Sequence, residues 1–214
     1  MTLRTILRID CSPRGGESHC WRMADEVQAR IVSFWPGSQI IRRVLPQVLP
    51  PFVDAEFARA MMTHTTAASA RAVTALSVSE DLIAELEAAD ALIIATPMHN
   101  YTVPAVLKAW IDQVVRFGRT FTSTPQGKVG NLADRPAFVV VSSGGYTSGD
   151  RGLQPDFLTP YLTAILATIG ITRVTMIRME GLTRGEEPLM RAYAGARAQI
   201  AAIGSADLVM QTPS

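Results

Sequence analysis

The chain has 214 residues, 48% hydrophobic and 18% charged, with a formal net charge of +1. That length suits one α/β domain with a closed core over residues 1–214, and that composition excludes a disordered chain. The near-zero charge leaves no electrostatic footprint for nucleic acid or for a membrane surface.

In chain order, Thr5 to Ile9 reads as a first strand. Arg4, Arg8 and Asp10 interrupt any apolar core there, so the N-terminus makes a poor signal peptide. No later run approaches the ~18 uninterrupted apolar residues of a membrane helix. Cys11 and Cys20 match no zinc-ligand spacing and are expected to be reduced thiols of a cytoplasmic protein, with no metal site. Met23, Val27, Ile31 and Phe34 recur at helical spacing, predicting a helix from Ser18 to Trp35 that Pro36-Gly37 ends. Gln39 to Leu45 is a second strand, polar enough for a sheet edge. Val53 to Met62 and Ser69 to Ala88 read as two helices of one long crossover, with His64 between them expected on the surface. Ala91 to Ala95 is a third strand, almost wholly apolar and so central. Pro104 to Phe117 is the next helix and Ala137 to Val141 the fourth strand. Phe157, Tyr161, Ile165 and Ile169 share a helix face that Gly170 caps; Val174 to Met179 is the fifth strand, and Glu187 to Ile203 the last helix.

Strands alternating with helices imply an α/β three-layer sandwich, a five-stranded parallel sheet with helices on both faces. The flavodoxin-like strand order 2-1-3-4-5 fits the count and the length, and it brings the loops after strands one, three and four to one ligand crevice. The first of these loops runs from Cys11 to Cys20; its Gly15-Gly16 pair and Ser18 N-cap lead into a helix N-terminus, where free amides favour an anion such as phosphate. It lacks the Gly-Lys-Ser/Thr ending of a Walker A loop and is equally read as a plain strand-to-helix turn. The second, Met98-His99-Asn100-Tyr101, offers backbone amides, an amide side chain and flat rings, which suit a planar heteroaromatic ligand. The third, Ser142-Ser143-Gly144-Gly145-Tyr146, combines hydroxyls with paired glycines that either make a turn or admit a ring carbonyl to the main chain.

Beyond the loops, the chain resembles the FMN-dependent NADH-azoreductases of the flavodoxin-like NAD(P)H:quinone oxidoreductase superfamily, nearly end to end. The likeness is carried by Pro97 to Tyr101, Leu107 to Asp112, Gly118 to Phe121, and Thr159-Pro160-Tyr161-Leu162 through Gly170-Ile171-Thr172. The resemblance implies FMN as cofactor, NADH (or NADPH) as electron donor, and a ping-pong cycle in which the donor leaves before a quinone or azo acceptor enters the same pocket. By position it assigns Ser12, Ser18, His19 and Cys20 to the FMN phosphate. It assigns Met98, His99, Asn100 and Tyr101 to the flavin ring, and Ser142, Ser143, Gly144 and Gly145 to the ring's pyrimidine side. Cys20 stands where a serine is usual, His99 where an aromatic is common, and Ser143 where a larger polar residue is often seen. No dedicated catalytic acid is implied; His99 is the one candidate proton donor and is read first as a ring neighbour.

The helix from Pro104 to Phe117 is apolar on more than one side, which suits a subunit contact, and the resemblance implies a homodimer with the flavin near the interface. The segment Gly118 to Pro136 has the length of a hairpin or lid. The resemblance implies that aromatics from this segment and from the end of the helix before Gly170 roof the flavin, and with Ser123 and Thr168 at such positions Phe121 is the candidate for the substrate pocket. Rival readings are an NAD(P)H:FMN reductase or a quinone reductase without azo activity, both of the same fold, a flavodoxin-type electron carrier, and a non-flavin regulatory α/β module.

Overall fold

The computed structural model describes residues 4–62 and 70–209. His64 lies outside these residues. Five parallel strands form the central sheet: β1 (Thr5–Asp10), β2 (Gln39–Val44), β3 (Ala91–Pro97), β6 (Ala137–Ser142) and β7 (Val174–Met179). Their spatial order is β2-β1-β3-β6-β7, the predicted 2-1-3-4-5. The helices are α1 (His19–Phe34), α2 (Ala55–Met62), α3 (Ala70–Ala88), α4 (Ala105–Val114), α5 (Leu158–Thr168) and α6 (Glu186–Ala201). A separate antiparallel hairpin, β4 (Phe121–Thr124) with β5 (Gly127–Gly130), lies between α4 and β6 in the chain.

Side chains along a strand alternate between faces, and the two halves of the core follow that period. Ile6, Ala91, Ile93, Phe138 and Val140 pack with Met23, Val27 and Ile31 of α1 and Ala196 and Ile200 of α6. Leu7, Ile9, Leu92, Ile94 and Val139 pack on the other side with Leu82 of α3, Trp110 of α4 and Leu162 of α5. All six residues of β6 and the first six of β3 are buried, as a strand covered on both faces requires. β2 has no fully buried residue and takes the edge.

Arg8 and Asp10 interrupt the apolar sequence of β1 on the α1 side. Both are buried, and Arg8 Nε donates to Asp10 Oδ1 at 3.0 Å. Arg42 of β2 donates to the other carboxylate oxygen at 2.6 Å, while Arg8 also bonds to Asp25 and to the Trp21 carbonyl of α1. The charged residues that break the signal-peptide pattern thus tie β1, β2 and α1 together.

The helix expected to reach Phe117 ends at Val114. The Thr120 hydroxyl donates to the Val114 carbonyl at 2.6 Å and accepts from the Arg116 amide at 2.9 Å, closing the helix end where a further turn would have run. No helix among the described residues is long and apolar enough to cross a membrane.

Removing one partner of a buried ion pair leaves the other uncompensated, at a cost of about 3–5 kcal/mol. Asp10→Ala is therefore expected to lower unfolding stability by about that amount, read from urea denaturation. A loss within ~0.5 kcal/mol, the range of an ordinary surface substitution, would count against the network.

Candidate functional site

The carboxyl ends of β1, β3 and β6 bring the three sequence-predicted loops together. Met98 donates its amide to the Ser142 carbonyl at 2.8 Å, joining the second loop to the third. The Cys20 thiol, 3.0 Å from the Ser18 hydroxyl, is close enough to the Ser142 side chain for it to lower the thiol's pKa, so the first loop adjoins the third.

In the first loop, Ser18 sits at the N-cap of α1, but its hydroxyl makes no capping bond. It meets Cys20 Sγ instead, so the serine cap expected from sequence is not formed. The first-turn amides of His19, Cys20 and Trp21 have no acceptor within the helix and no side-chain cap. Ser12 and Ser18 are buried beside them. This is a set of neutral donors at the positive end of a 16-residue helix, the arrangement that suits a phosphate dianion. His19 is held to one side, with Nδ1 2.8 Å from the Tyr193 hydroxyl of α6. Burial, then the charges of Arg14 and Arg22, lower its pKa below the usual imidazole value.

The second loop is a two-residue reversal. His99 and Thr102 exchange backbone hydrogen bonds at 2.9 and 3.0 Å around Asn100 and Tyr101, whose φ angles are +48° and +69°. Two successive positive φ values inside such a pair are the pattern of a type I′ turn, which glycine and asparagine adopt easily and tyrosine does not. Among the described residues these are the only non-glycine positions with positive φ, and strain of this kind collects at ligand sites. The turn also decides which donors remain. The amides of Met98 and His99 are engaged, while those of Asn100 and Tyr101 and the Asn100 side chain have no partner among the described residues.

The third loop repeats this. Ser143 gives its amide to the Met179 carbonyl at 2.8 Å and its hydroxyl to the Gly145 carbonyl at 2.9 Å. The Gly144 and Gly145 amides have no acceptor among the described residues. A Cβ on Gly144 would lie 3.0 Å from Thr183 Oγ1, and one on Gly145 would lie 2.2 Å from Gln154 Oε1. Gly144 packs against the Thr183 side chain and Gly145 against the end of the Gln154 side chain, and neither amide is engaged. The crevice loops thus offer unengaged donors at Asn100, Tyr101, Gly144 and Gly145, and at the start of α1. This matches what a planar ring bearing carbonyls and a phosphate requires, so the residues present fit FMN.

Phe121 is not brought to these loops. α4 starts at the carboxyl end of β3 and runs about 15 Å back along the sheet, so the hairpin that follows lies at the opposite end. There Gly130 packs against Gly170, and Leu132 bonds to the Ile169 carbonyl just before β6 begins. Phe121 is buried in edge contact with Phe117 under Lys128. The groove on the outer side of α4 is a feature that sequence reading did not place. It has a volume of ≈ 840 Å³ between α2, α4 and α5, with Phe57, Ile111, Val115, Tyr161 and Ile165 in its walls.

Both thiols are buried. Burial pushes the pKa of Cys11 well up, with Cys20 and Asp10 adding to the rise. Burial also raises Cys20, partly countered by hydrogen bonds from Ser18 and Ser142. A folded thiol with a raised pKa contributes stability that is full below the unfolded value of ~8.5 and is lost as pH rises through the folded value. Unfolding stability is therefore expected to fall above about pH 8.5, and Cys11→Ala to flatten that alkaline decline. An unchanged decline in the variant would rule out this origin.

Residues 4–203 match the family model described as the flavodoxin-like fold. An FMN-dependent NADH:quinone oxidoreductase of Burkholderia lata is 46% identical over 180 residues, covering 84% of this chain and 86% of that protein. One from Pseudomonas fluorescens is 44% identical over 199 residues, covering 92% and 94%. Among solved structures, an azoreductase of Bacillus anthracis superposes with a TM-score of 0.82 at 20% identity, covering 93% of this chain and 98% of that one, which bears on the fold. With these matches spanning sheet, crevice and helices alike, the chain belongs to the flavodoxin-like family that includes the FMN-dependent NADH:quinone oxidoreductases.

Proposed function

We propose that this protein is an FMN-dependent NADH:quinone oxidoreductase that also reduces azo bonds, built as one flavodoxin-like domain. The observation that carries the reading is the match between unengaged donors and the parts of FMN. Unengaged amides and buried hydroxyls at the start of α1 suit the phosphate, and the unengaged amides of the Asn100–Tyr101 and Gly144–Gly145 turns suit the polar edge of the ring. When bound, FMN supplies a ring that accepts a hydride from NADH and delivers the electron pair to a quinone or azo acceptor.

The chain's own residues bind, orient and shield. Ser12, Ser18, His19 and Cys20 hold the phosphate, with a thiol at Cys20 as the weaker donor where a hydroxyl would be stronger. The Asn100 side chain and the Asn100 and Tyr101 amides take the ring's polar edge, and the Gly144 and Gly145 amides its pyrimidine side. Met98 packs against the apolar core and supports the ring from below. His99 is exposed, its main chain is engaged in the turn, and it serves as a ring neighbour with no proton step assigned.

A homodimer completes the site in this reading. Val53, which lines the α2–α4–α5 groove, is 46% exposed and its chain neighbour Phe52 is 76% exposed, an apolar surface of the kind that a subunit contact covers. Phe121 lies at the far end of its own sheet, so a role in the substrate pocket is open to it across a two-fold axis, at the partner's crevice. Buried free thiols at Cys11 and Cys20 favour a reducing, cytoplasmic setting.

The purified protein is expected to be yellow, and its flavin to bleach under anaerobic NADH and to recover on addition of menadione or an azo dye. Flavin that NADH does not bleach would overturn the reading. Asn100→Ala is expected to release FMN on gel filtration while keeping the fold by circular dichroism. Equilibrium sedimentation is expected to give twice the 23.2 kDa chain mass, and a monomer mass at micromolar concentration would remove the composite site.

A further inference from the structure

One residue beyond Gly145, Tyr146 begins the wall of a second cavity. It has a volume of ≈ 400 Å³ and is lined also by Asp150, Arg151, Leu153, Gln154 and Arg184. The Gln154 side chain packs directly against Gly145, so this cavity and the third loop share a wall.

Its walls are held in place before any ligand arrives. The Tyr146 ring packs on Gly181, where a Cβ would lie 2.5 Å from the ring. The Arg151 guanidinium lies over that ring at 4.4 Å from its centroid and reaches the phenol oxygen at 3.4 Å. The intervening loop is tied down by Glu180, which accepts from Thr147 at 2.6 Å and Ser148 at 3.0 Å. Arg184 is anchored by its amide on the Gly181 carbonyl at 3.0 Å.

The charges differ from those next door. Nearby Arg178 and Arg191 face carboxylates, Asp156 at 3.8 Å and Glu187 at 2.7 Å. Arg151 and Arg184 have no carboxylate partner among the described residues. With Asp150 also in the wall, the cavity carries one net positive charge, on two forks able to grip phosphate in bidentate fashion. Leu153 is 92% exposed beside them, an apolar side chain with nothing over it. Paired guanidiniums, a fixed aromatic ring and an uncovered leucine are together the chemistry of an adenine nucleotide: phosphates for the arginines and a flat base for the rest.

We propose that this cavity takes the adenosine-phosphate half of the nicotinamide donor. Arg151 and Arg184 bind its phosphates, and Tyr146 and Leu153 flank the base, while the nicotinamide reaches the neighbouring ring site. This rests on the functional reading above. The phosphate concerned is either the pyrophosphate common to NADH and NADPH or the 2′-phosphate of NADPH alone.

The test titrates the FMN-loaded protein with the unreactive analogues 1,4,5,6-tetrahydro-NADH and tetrahydro-NADPH, reading Kd from the flavin absorbance change. Arg151→Gln and Arg184→Gln are each expected to raise Kd on the order of tenfold, the loss of a charge-assisted contact, with FMN content unchanged and Arg184→Lys recovering part of the loss. Equal weakening of both analogues assigns the pyrophosphate; weakening of the NADPH analogue alone assigns the 2′-phosphate. Unchanged Kd for both analogues in both glutamine variants overturns the proposal while leaving the functional reading intact, provided NADH still bleaches the wild-type flavin. A wild-type flavin that NADH does not bleach overturns both.

Discussion

Parallel pairing is the constraint on which the rest of this molecule depends. When every strand runs the same way, every carboxyl end lies on one edge, and every connection must cross back over a face as a helix. The site is a consequence of that geometry. Loops far apart in sequence, at Ser12–Cys20, Met98–Tyr101 and Ser142–Gly145, meet because β1, β3 and β6 are neighbours in the sheet. The second and third are joined directly, Met98 to Ser142, and the first is tied to β3 by the Cys11 amide on the Ala95 carbonyl. The Arg8–Asp10–Arg42 network lies just below that edge and fixes the strand from which the first loop departs.

The crevice is made of what the fold leaves unbonded. Each loop uses part of its polar main chain for its own shape: Met98, His99 and Ser143 give up their amides, and the Ser18 hydroxyl turns to Cys20. The remaining amides at Asn100, Tyr101, Gly144 and Gly145, with those at the start of α1, are the donors offered to a ligand. The strain at Tyr101 has a structural role as well. Its carbonyl accepts the Phe157 amide at 3.0 Å, linking the turn to the entry of α5.

Much of this was legible in the sequence because two signals are local. Apolar runs such as Ala91–Ala95 identify a buried strand from their own residues, and the spacing of Met23, Val27, Ile31 and Phe34 identifies a helix in the same way. The three loops were legible because each directly follows such a strand. The stop of α4 at Val114 was not, since it depends on a hydroxyl at Thr120 that folds back on the helix end. Ser18 carried the right residue for a cap, yet a thiol two residues on competes for its hydroxyl. The basic cavity was also hidden, because Arg151 and Arg184 belong to different segments and face one site only when β6 and β7 pair.

By itself, then, the sequence determined the class of fold and the strand-end loops, because these follow from hydrophobic period, while the strand order it suggested rested on fit to a known arrangement that the folded sheet bears out. Tertiary structure alone decided which donors in those loops stay free, since hydrogen bonds between loops exist only after the strands are paired. It also decided that Phe121 stands at the far end of the sheet from its own chain's crevice. A helix antiparallel to β3 must carry the following residues back to the opposite edge, and adjacency in sequence gives no measure of that distance.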